Sequence, residues 1–308
     1  MSDFTSAKAS HLHGVISVLV ALPFVSLTGL FGKFLTLSPL LIVQGRTVFA
    51  FGALLLAILF LRKKIFFSEH REWLWLVLSG SILGVHWIAF FQAIQVSTVA
   101  IGLLSFASYP LFTTLLEPLF FREPLRVRNV FAALIVICGL TLMATSSSDD
   151  SNTIISGSVF HGILWGLMAG FGFAVLTLLN RVHVRKHSAL LITCWQNGFA
   201  ALVILPWSLS ESWIISGKEL GLLFILGVVC TVGGHTLLIN GLRHVRAQVA
   251  SMLIAGLEPV FAILFALFLL GEVPSLQTLL GGVLIMSTTV FIIYGTEQKE
   301  IPEQAVSK

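Results

Sequence analysis

The chain has 308 residues, of which 56% are hydrophobic and 10% charged, with a formal net charge of +4. Soluble domains carry roughly 25% charged residues, so this composition cannot furnish a polar shell and excludes a soluble globular protein. The positive balance is not a nucleic-acid footprint, because Lys and Arg sit in short connectors between long apolar runs.

Taken in chain order, the runs divide into ten segments: 14–33, 38–61, 73–94, 98–121, 128–145, 158–180, 189–209, 219–242, 247–270 and 275–295. About 18 nearly uncharged residues at roughly 1.5 Å each match a hydrocarbon core of about 30 Å. The strict apolar–polar alternation of an outer-membrane barrel is absent. The pattern therefore predicts an all-α integral membrane protein with ten transmembrane helices. The first run is too long for the apolar core of a signal peptide and has no clear small-residue cleavage site, so it is expected to be a retained span. Two spans open with helix-start chemistry: Ser38 before Pro39, and Ser188 in the matching place of the seventh. The 146–157 connector is the one polar, linker-like stretch, dividing 1–145 from 158–296 and the tail 297–308.

Alternate placement of the connectors puts fifteen of the eighteen Lys and Arg on one side. Lys33 and Lys218 fall on the other, and Arg46 lies within a span. The positive-inside rule then predicts a multi-pass protein of a cell (inner) membrane with both termini cytoplasmic. Trp73, Trp75, Trp207 and Trp213 fall at span ends, where aromatic belts sit.

The chain also matches itself at an offset of about 149 residues. His13-Gly14 pairs with His161-Gly162, Lys33 with Arg181, Gly84-x-His86 with Gly233-x-His235, Pro110-x-Phe112 with Pro259-x-Phe261, and Glu123 with Glu272. Five spans per copy is an odd number, so the second copy must enter the membrane from the opposite side. The expected architecture is two inverted five-helix repeats, as in alternating-access transporters.

Ionisable and polar groups at bilayer depth need a reason to be there. Arg46, about two turns into span 2, either holds a carboxylate or phosphate, pairs with an acid on another helix, or snorkels to the interface. Glu258 directly precedes Pro259, which loosens span 9; it is a proton acceptor, a contact for a substrate amine, or a structural carboxyl. His86 and His235 suit proton relay, or else bond a neighbouring helix, and Trp87 stands beside the first of them. In span 4, Ser105, Ser108, Tyr109, Phe112 and Thr113 share one helical face, expected to line a cavity beside Pro110, which breaks the helix there. Gly227, Thr231, Gly234 and His235 form a small-polar stripe on span 8, and Gly166-x-x-x-Gly170 another on span 6; these either line a cavity or pack helices closely. Trp165, Trp195, Gln196 and Asn197 carry polar groups that need partners in lipid and are candidates for the transport path. Glu117 is expected at the interface, and Glu123 and Glu272 as caps.

Cys138, Cys194 and Cys230 lie far apart inside spans and suggest neither a disulfide framework nor a metal site. No HExxH, P-loop or nucleophile-elbow motif occurs, so no enzyme and no cofactor is expected.

The stretch 250–285, with Leu257-Glu258-Pro259-Val260-Phe261-Ala262, Leu270-Gly271-Glu272 and Leu280-Gly281-Gly282-Val283-Leu284-Ile285, resembles the drug/metabolite transporter superfamily, specifically EamA-type proteins. A weaker copy runs over 108–136, and Arg46 resembles the Arg of the second span there. The resemblance implies a ten-helix bundle around a central cavity, with spans 5 and 10 peripheral, as a monomer or homodimer. It implies export or exchange of amino acids, other metabolites or toxic compounds. Tyr109 stands where the second copy has Glu258, so the halves depart from symmetry. The expected activity is secondary transport, in the export direction, of a small polar metabolite or amino acid, with proton coupling. The alternatives are a sugar-phosphate or nucleotide-type antiporter and a membrane-embedded enzyme or scaffold.

Overall fold

The computed structural model describes residues 2–67, 69–121, 127–144, 157–245 and 247–297. Every described element is helical. Glu123, the connector at 146–156 and the tail beyond 297 lie outside the described residues.

The elements follow the apolar runs closely. They are α1 (Ser2–Phe34), α2 (Pro39–Phe60), α3 (His70–Val96), α4 (Val99–Phe106), α5 (Tyr109–Phe121) and α6 (Val127–Ala144). Then come α7 (Gly157–His183), α8 (Ala189–Ser208), α9 (Gly217–Phe224), a π-helical segment π1 (Ile225–His235), α10 (Thr236–Gly241), α11 (Ala247–Leu270) and α12 (Leu276–Glu297). Among the described residues, eight helices are long and apolar enough to cross a membrane, and Leu134–Met143 and Leu276–Ser287 are shorter apolar stretches. The protein is an all-α, multi-span helical bundle of eight to ten helices.

Local chemistry explains the ends and breaks. Ser38 and Ser188 each accept a hydrogen bond from the backbone N–H three residues on, at 3.3 Å, and so cap α2 and α8. The expected single span at 98–121 is interrupted at Ala107–Ser108. Pro110 has no N–H to give and disfavours helical geometry before it; Ser108 Oγ donates to the Ser105 carbonyl at 2.7 Å in the gap. After α11, Gly271 takes φ +68°, the left-handed region that glycine enters without penalty, and turns the chain toward α12.

Packing gathers α3 against α7 and α8, α2 against α8 and π1, and α1 against α11 and π1. Helices α6 and α12 pack chiefly on each other at the periphery. Lipid tails are as apolar as leucine, so close backbone approach and hydrogen bonds hold such helices together. Gly166 illustrates this: a Cβ there would lie 2.6 Å from Ser105 Cβ, so α7 sits directly on α4. The outward faces carry exposed Phe60, Leu119 and Phe268, as a lipid-facing surface should.

The connectors meet at two ends. At one, Lys33 reaches Ser97, Thr36 reaches Glu219, and Glu272 reaches Val99. At the other, His13 meets His244, Arg243 reaches Val184 and His187, and Glu117 pairs with Arg181.

Candidate functional site

Arg46 is the organising residue. It sits two turns into α2, 1% exposed, and does not snorkel. Its Nε and Nη2 both donate to Thr231 Oγ1, at 3.1 and 2.7 Å. The guanidinium carbon stacks 3.5 Å from the centroid of the Trp87 ring, with Phe91 at 5.7 Å. A desolvated contact of this kind contributes about 2 kcal/mol. Nη1 is buried without a hydrogen-bond partner. Among the described residues no carboxylate pairs with Arg46. One edge of a planar cation is thus fixed and the other left open.

The π-helical segment makes this arrangement possible. Thr231 Oγ1 donates to the Leu226 carbonyl five residues back, at 2.8 Å, the spacing of a π turn. Four residues before Thr231, Gly227 faces α2; a Cβ there would lie 2.7 Å from the Arg46 carbonyl oxygen. The two backbones therefore touch at Arg46 itself, and the Thr231 hydroxyl meets its guanidinium from the same side.

Histidines flank the stack. His86 lies 4.8 Å and His235 5.5 Å from the Trp87 ring, centroid to centroid. Both are within electrostatic range of Arg46. His86 Nδ1 is 2.8 Å from the Ala169 carbonyl. A carbonyl only accepts, so Nδ1 carries the hydrogen. His86 Nε2 and Trp87 Nε1 are buried and unpartnered. Open donors on Arg46 and Trp87 therefore sit beside an open ring nitrogen on His86.

A chain of rings leads from this cluster to the second ionisable group. Trp87 meets Phe90 at 5.3 Å, Phe90 meets Phe106 at 5.4 Å, and Phe106 meets Tyr109 at 4.9 Å. Tyr109, fully buried, donates its hydroxyl to the Ser251 carbonyl of α11 at 2.6 Å. Glu258, on α11 and buried, acts electrostatically on Tyr109.

The structure thus brings Arg46, His86, Trp87 and His235 into one cluster and connects it to Tyr109 and Glu258. The rest of the span-4 stripe is divided. Ser105 and Ser108 face Gly166 and Gly170 of α7, so this part packs helices, although Ser105 Oγ keeps no partner. Gln196 donates to Asn180 at 2.5 Å and Asn197 to the Thr193 carbonyl at 2.8 Å. Trp195 stands in a separate aromatic cluster under the 61–69 connector. Its Nε1 donates to the Ile65 carbonyl at 2.8 Å, and its ring meets Trp73 at 4.7 Å. Trp165 is half-buried on α7 against the main core. Glu272 caps another helix, accepting from the Val99 N–H of α4 at 3.0 Å. The anchoring role of Thr231 is not readable from the chain, beyond its place on the stripe that carries His235.

A model of the EamA-like transporter family matches this chain twice, over residues 12–145 and 160–294. The protein is similar to the uncharacterized transporter YwfM of Bacillus subtilis (strain 168), 26% identical over 273 residues, covering 87% of this chain and 88% of that protein. It is also similar to the S-adenosylmethionine uptake transporter of Rickettsia conorii, 27% identical over 226 residues and 72% of each chain. A solved crystal structure, titled only as that of a protein, aligns with TM-score 0.65 at 17% identity, over 92% of this chain and 95% of that one. That last likeness speaks for the fold alone.

Proposed function

The chain belongs to the EamA-like transporter family, and from that premise we propose that it exports a small polar metabolite or amino acid by alternating access. It is a multi-pass membrane transporter of small molecules and not an enzyme. The observation that carries the proposal is the half-open guanidinium of Arg46, fixed by Thr231 and Trp87 with Nη1 unpartnered. An anionic group, such as the carboxylate of an amino acid, takes that open edge. Glu258, beyond the ring chain, takes a coupling proton, or the ammonium of a substrate whose amine lies far from its anionic group. The amino-acid head group is also the part that S-adenosylmethionine shares with free amino acids.

Two inverted five-helix halves would supply the alternating gates. Supporting this are the double family match and the matched caps at Ser38 and Ser188. A pair of related ties adds to it: Gln95 donates to the Leu37 carbonyl, and Arg243, 148 positions later, to that of Val184. The Lys and Arg distribution supports an inner membrane with both termini in the cytoplasm. A sugar-phosphate antiporter would have to neutralise a dianion, and the cluster holds a single cation.

A thermal-shift screen of the purified protein against amino acids, nucleosides and organic acids identifies the substrate, and reconstitution into liposomes tests the roles. Arg46→Gln weakens binding of the identified anion by about 100-fold, the value of a lost charge-assisted bond. Glu258→Gln removes the response of transport to an imposed pH gradient. Normal pH-coupled transport by that variant overturns the role given to Glu258.

A further inference from the structure

Among the described residues, the most concentrated set of titratable groups outside the Arg46 cluster lies at the end of the bundle where α3 begins and α7 ends. Glu72 of α3 has a side chain only 10% exposed. Its Oε2 stands 3.5 Å from Nε2 of His183 and 3.5 Å from Nε2 of His187, and its Oε1 is 3.8 Å from Lys186 Nζ. His183 Nδ1 is 2.8 Å from the Leu179 carbonyl and therefore carries a hydrogen. In its neutral form, then, His183 turns a lone pair toward a carboxylate oxygen. His187 brings a second ring nitrogen to that oxygen, and the nitrogen is buried with no hydrogen-bond partner. The lone pair of neutral His183 repels the carboxylate oxygen until that ring takes a proton. A single proton turns repulsion into a charge-assisted contact.

From this geometry we infer that Glu72, His183 and His187 form a proton-binding site that latches the N-terminal half of the chain to the C-terminal half. Glu72 precedes the 146–157 connector and both histidines follow it. The surroundings hold the groups in place. Arg243 donates to the carbonyls of Val184 and His187 at 3.2 and 2.8 Å, which fixes the turn that carries His187. The Phe67 ring meets the His187 ring edge-on at 4.6 Å, and Trp75 lies 6.2 Å from His183. A cavity of about 330 Å³ opens beside the cluster, bounded by Trp75, Phe120, Leu179 and Val182, and gives water a route to it.

The charged neighbours decide the sign. Glu69 and Arg71 face the cavity from the α3 side, and Lys186 from the α7 side. Glu117 of α5 is engaged by Arg181 of α7 at 2.9 Å. Among these described groups, Glu72 is the carboxylate that the histidines touch. The latch is therefore closed where histidine is protonated and carboxylate is not, and loosens where the histidines lose their protons. A transporter that works by alternating access would then release this end more readily at higher pH. That consequence rests on the proposed function; the proton site itself does not.

The test reads distance rather than transport, so it is separate from the test of Glu258. Spin labels on cysteines placed at exposed Phe66 and Arg185, with the three native cysteines replaced, report the separation of the two connectors in detergent and in liposomes. The expected result is a short, narrow distribution at pH 5.5 that lengthens or broadens at pH 8.5. Glu72→Gln should abolish the pH response. If that variant does not fold, the double change His183→Gln with His187→Gln should give the high-pH distribution throughout. A distribution that does not change with pH in the parent protein overturns the inference, as does a pH response that survives either variant.

Discussion

The two ends of the bundle are tied in different currencies. At the end formed by 33–38, 95–99, 208–219 and 270–276, carboxylates accept from neutral donors. Thr36 donates to Glu219 at 2.6 Å, Ser38 donates to Glu211, and the Val99 N–H donates to Glu272 at 3.0 Å. Lys33 there is spent on a backbone carbonyl, that of Ser97, at 2.7 Å. At the opposite end the carboxylates face cations and imidazoles: Glu117 with Arg181, and Glu72 with His183, Lys186 and His187. Bonds from hydroxyls and backbone N–H groups do not titrate near neutral pH, whereas imidazoles do. Both ends join the halves of the chain, but sensitivity to pH and salt is concentrated at one.

The largest effect in this comparison should come from Glu117. Its contact with Arg181 is 2.9 Å and the two side chains are 11% and 14% exposed. Glu117→Gln removes the carboxylate that this largely buried guanidinium meets at 2.9 Å, costing about 2–3 kcal/mol, to be measured by denaturant unfolding in detergent. A loss under about 0.5 kcal/mol, the ordinary value of an exposed pair, would show that this end is held by packing and not by charge. The matching change at the other end is smaller. Glu272→Gln keeps an acceptor for the Val99 N–H, and Thr98 still caps α4 through the Ile101 N–H at 3.1 Å. The expected cost is about 1 kcal/mol and should be the same at pH 6 and pH 8. A cost that varied with pH would erase the distinction between the ends.

The difference between the ends was only partly legible in the chain. Helix limits were readable because they are local: Ser38-Pro39 and Ser188 announce their caps, and the expected 158–180 is α7, Gly157–His183. The break beside Pro110 was readable for the same reason. The π turn was not, since eleven apolar and small residues satisfy several helical periods at once. Nor could the chain show that Arg46 meets Thr231, 185 positions away. Trp195 was expected on the transport path because an indole in lipid needs an acceptor. The acceptor is the Ile65 carbonyl of a connector that folds over it, and no periodicity records that. Glu72, His183 and His187 escaped notice because isolated charges at helix ends read as interfacial; only tertiary contact makes them a cluster.

The smallest effect separates the charge that matters at the ion-paired end from the charge that is merely near. Lys186 is 3.8 Å from Glu72 and its side chain is 67% exposed. Water and salt screen such a contact, and its ordering entropy offsets most of the attraction, so Lys186→Ala should cost at most about 0.5 kcal/mol. Half-molar salt should mimic the variant without adding to it, because both remove the same screened attraction. The exposed bond between Thr36 and Glu219 at the opposite end has a neutral donor and should respond weakly to the same salt. If Lys186→Ala instead cost as much as Glu117→Gln, the cation facing Glu72 would be the lysine. The histidines would then be spectators, and the contrast between the ends would be one of salt alone. A small lysine effect with a full pH response assigns the closure of that end to protonated imidazole.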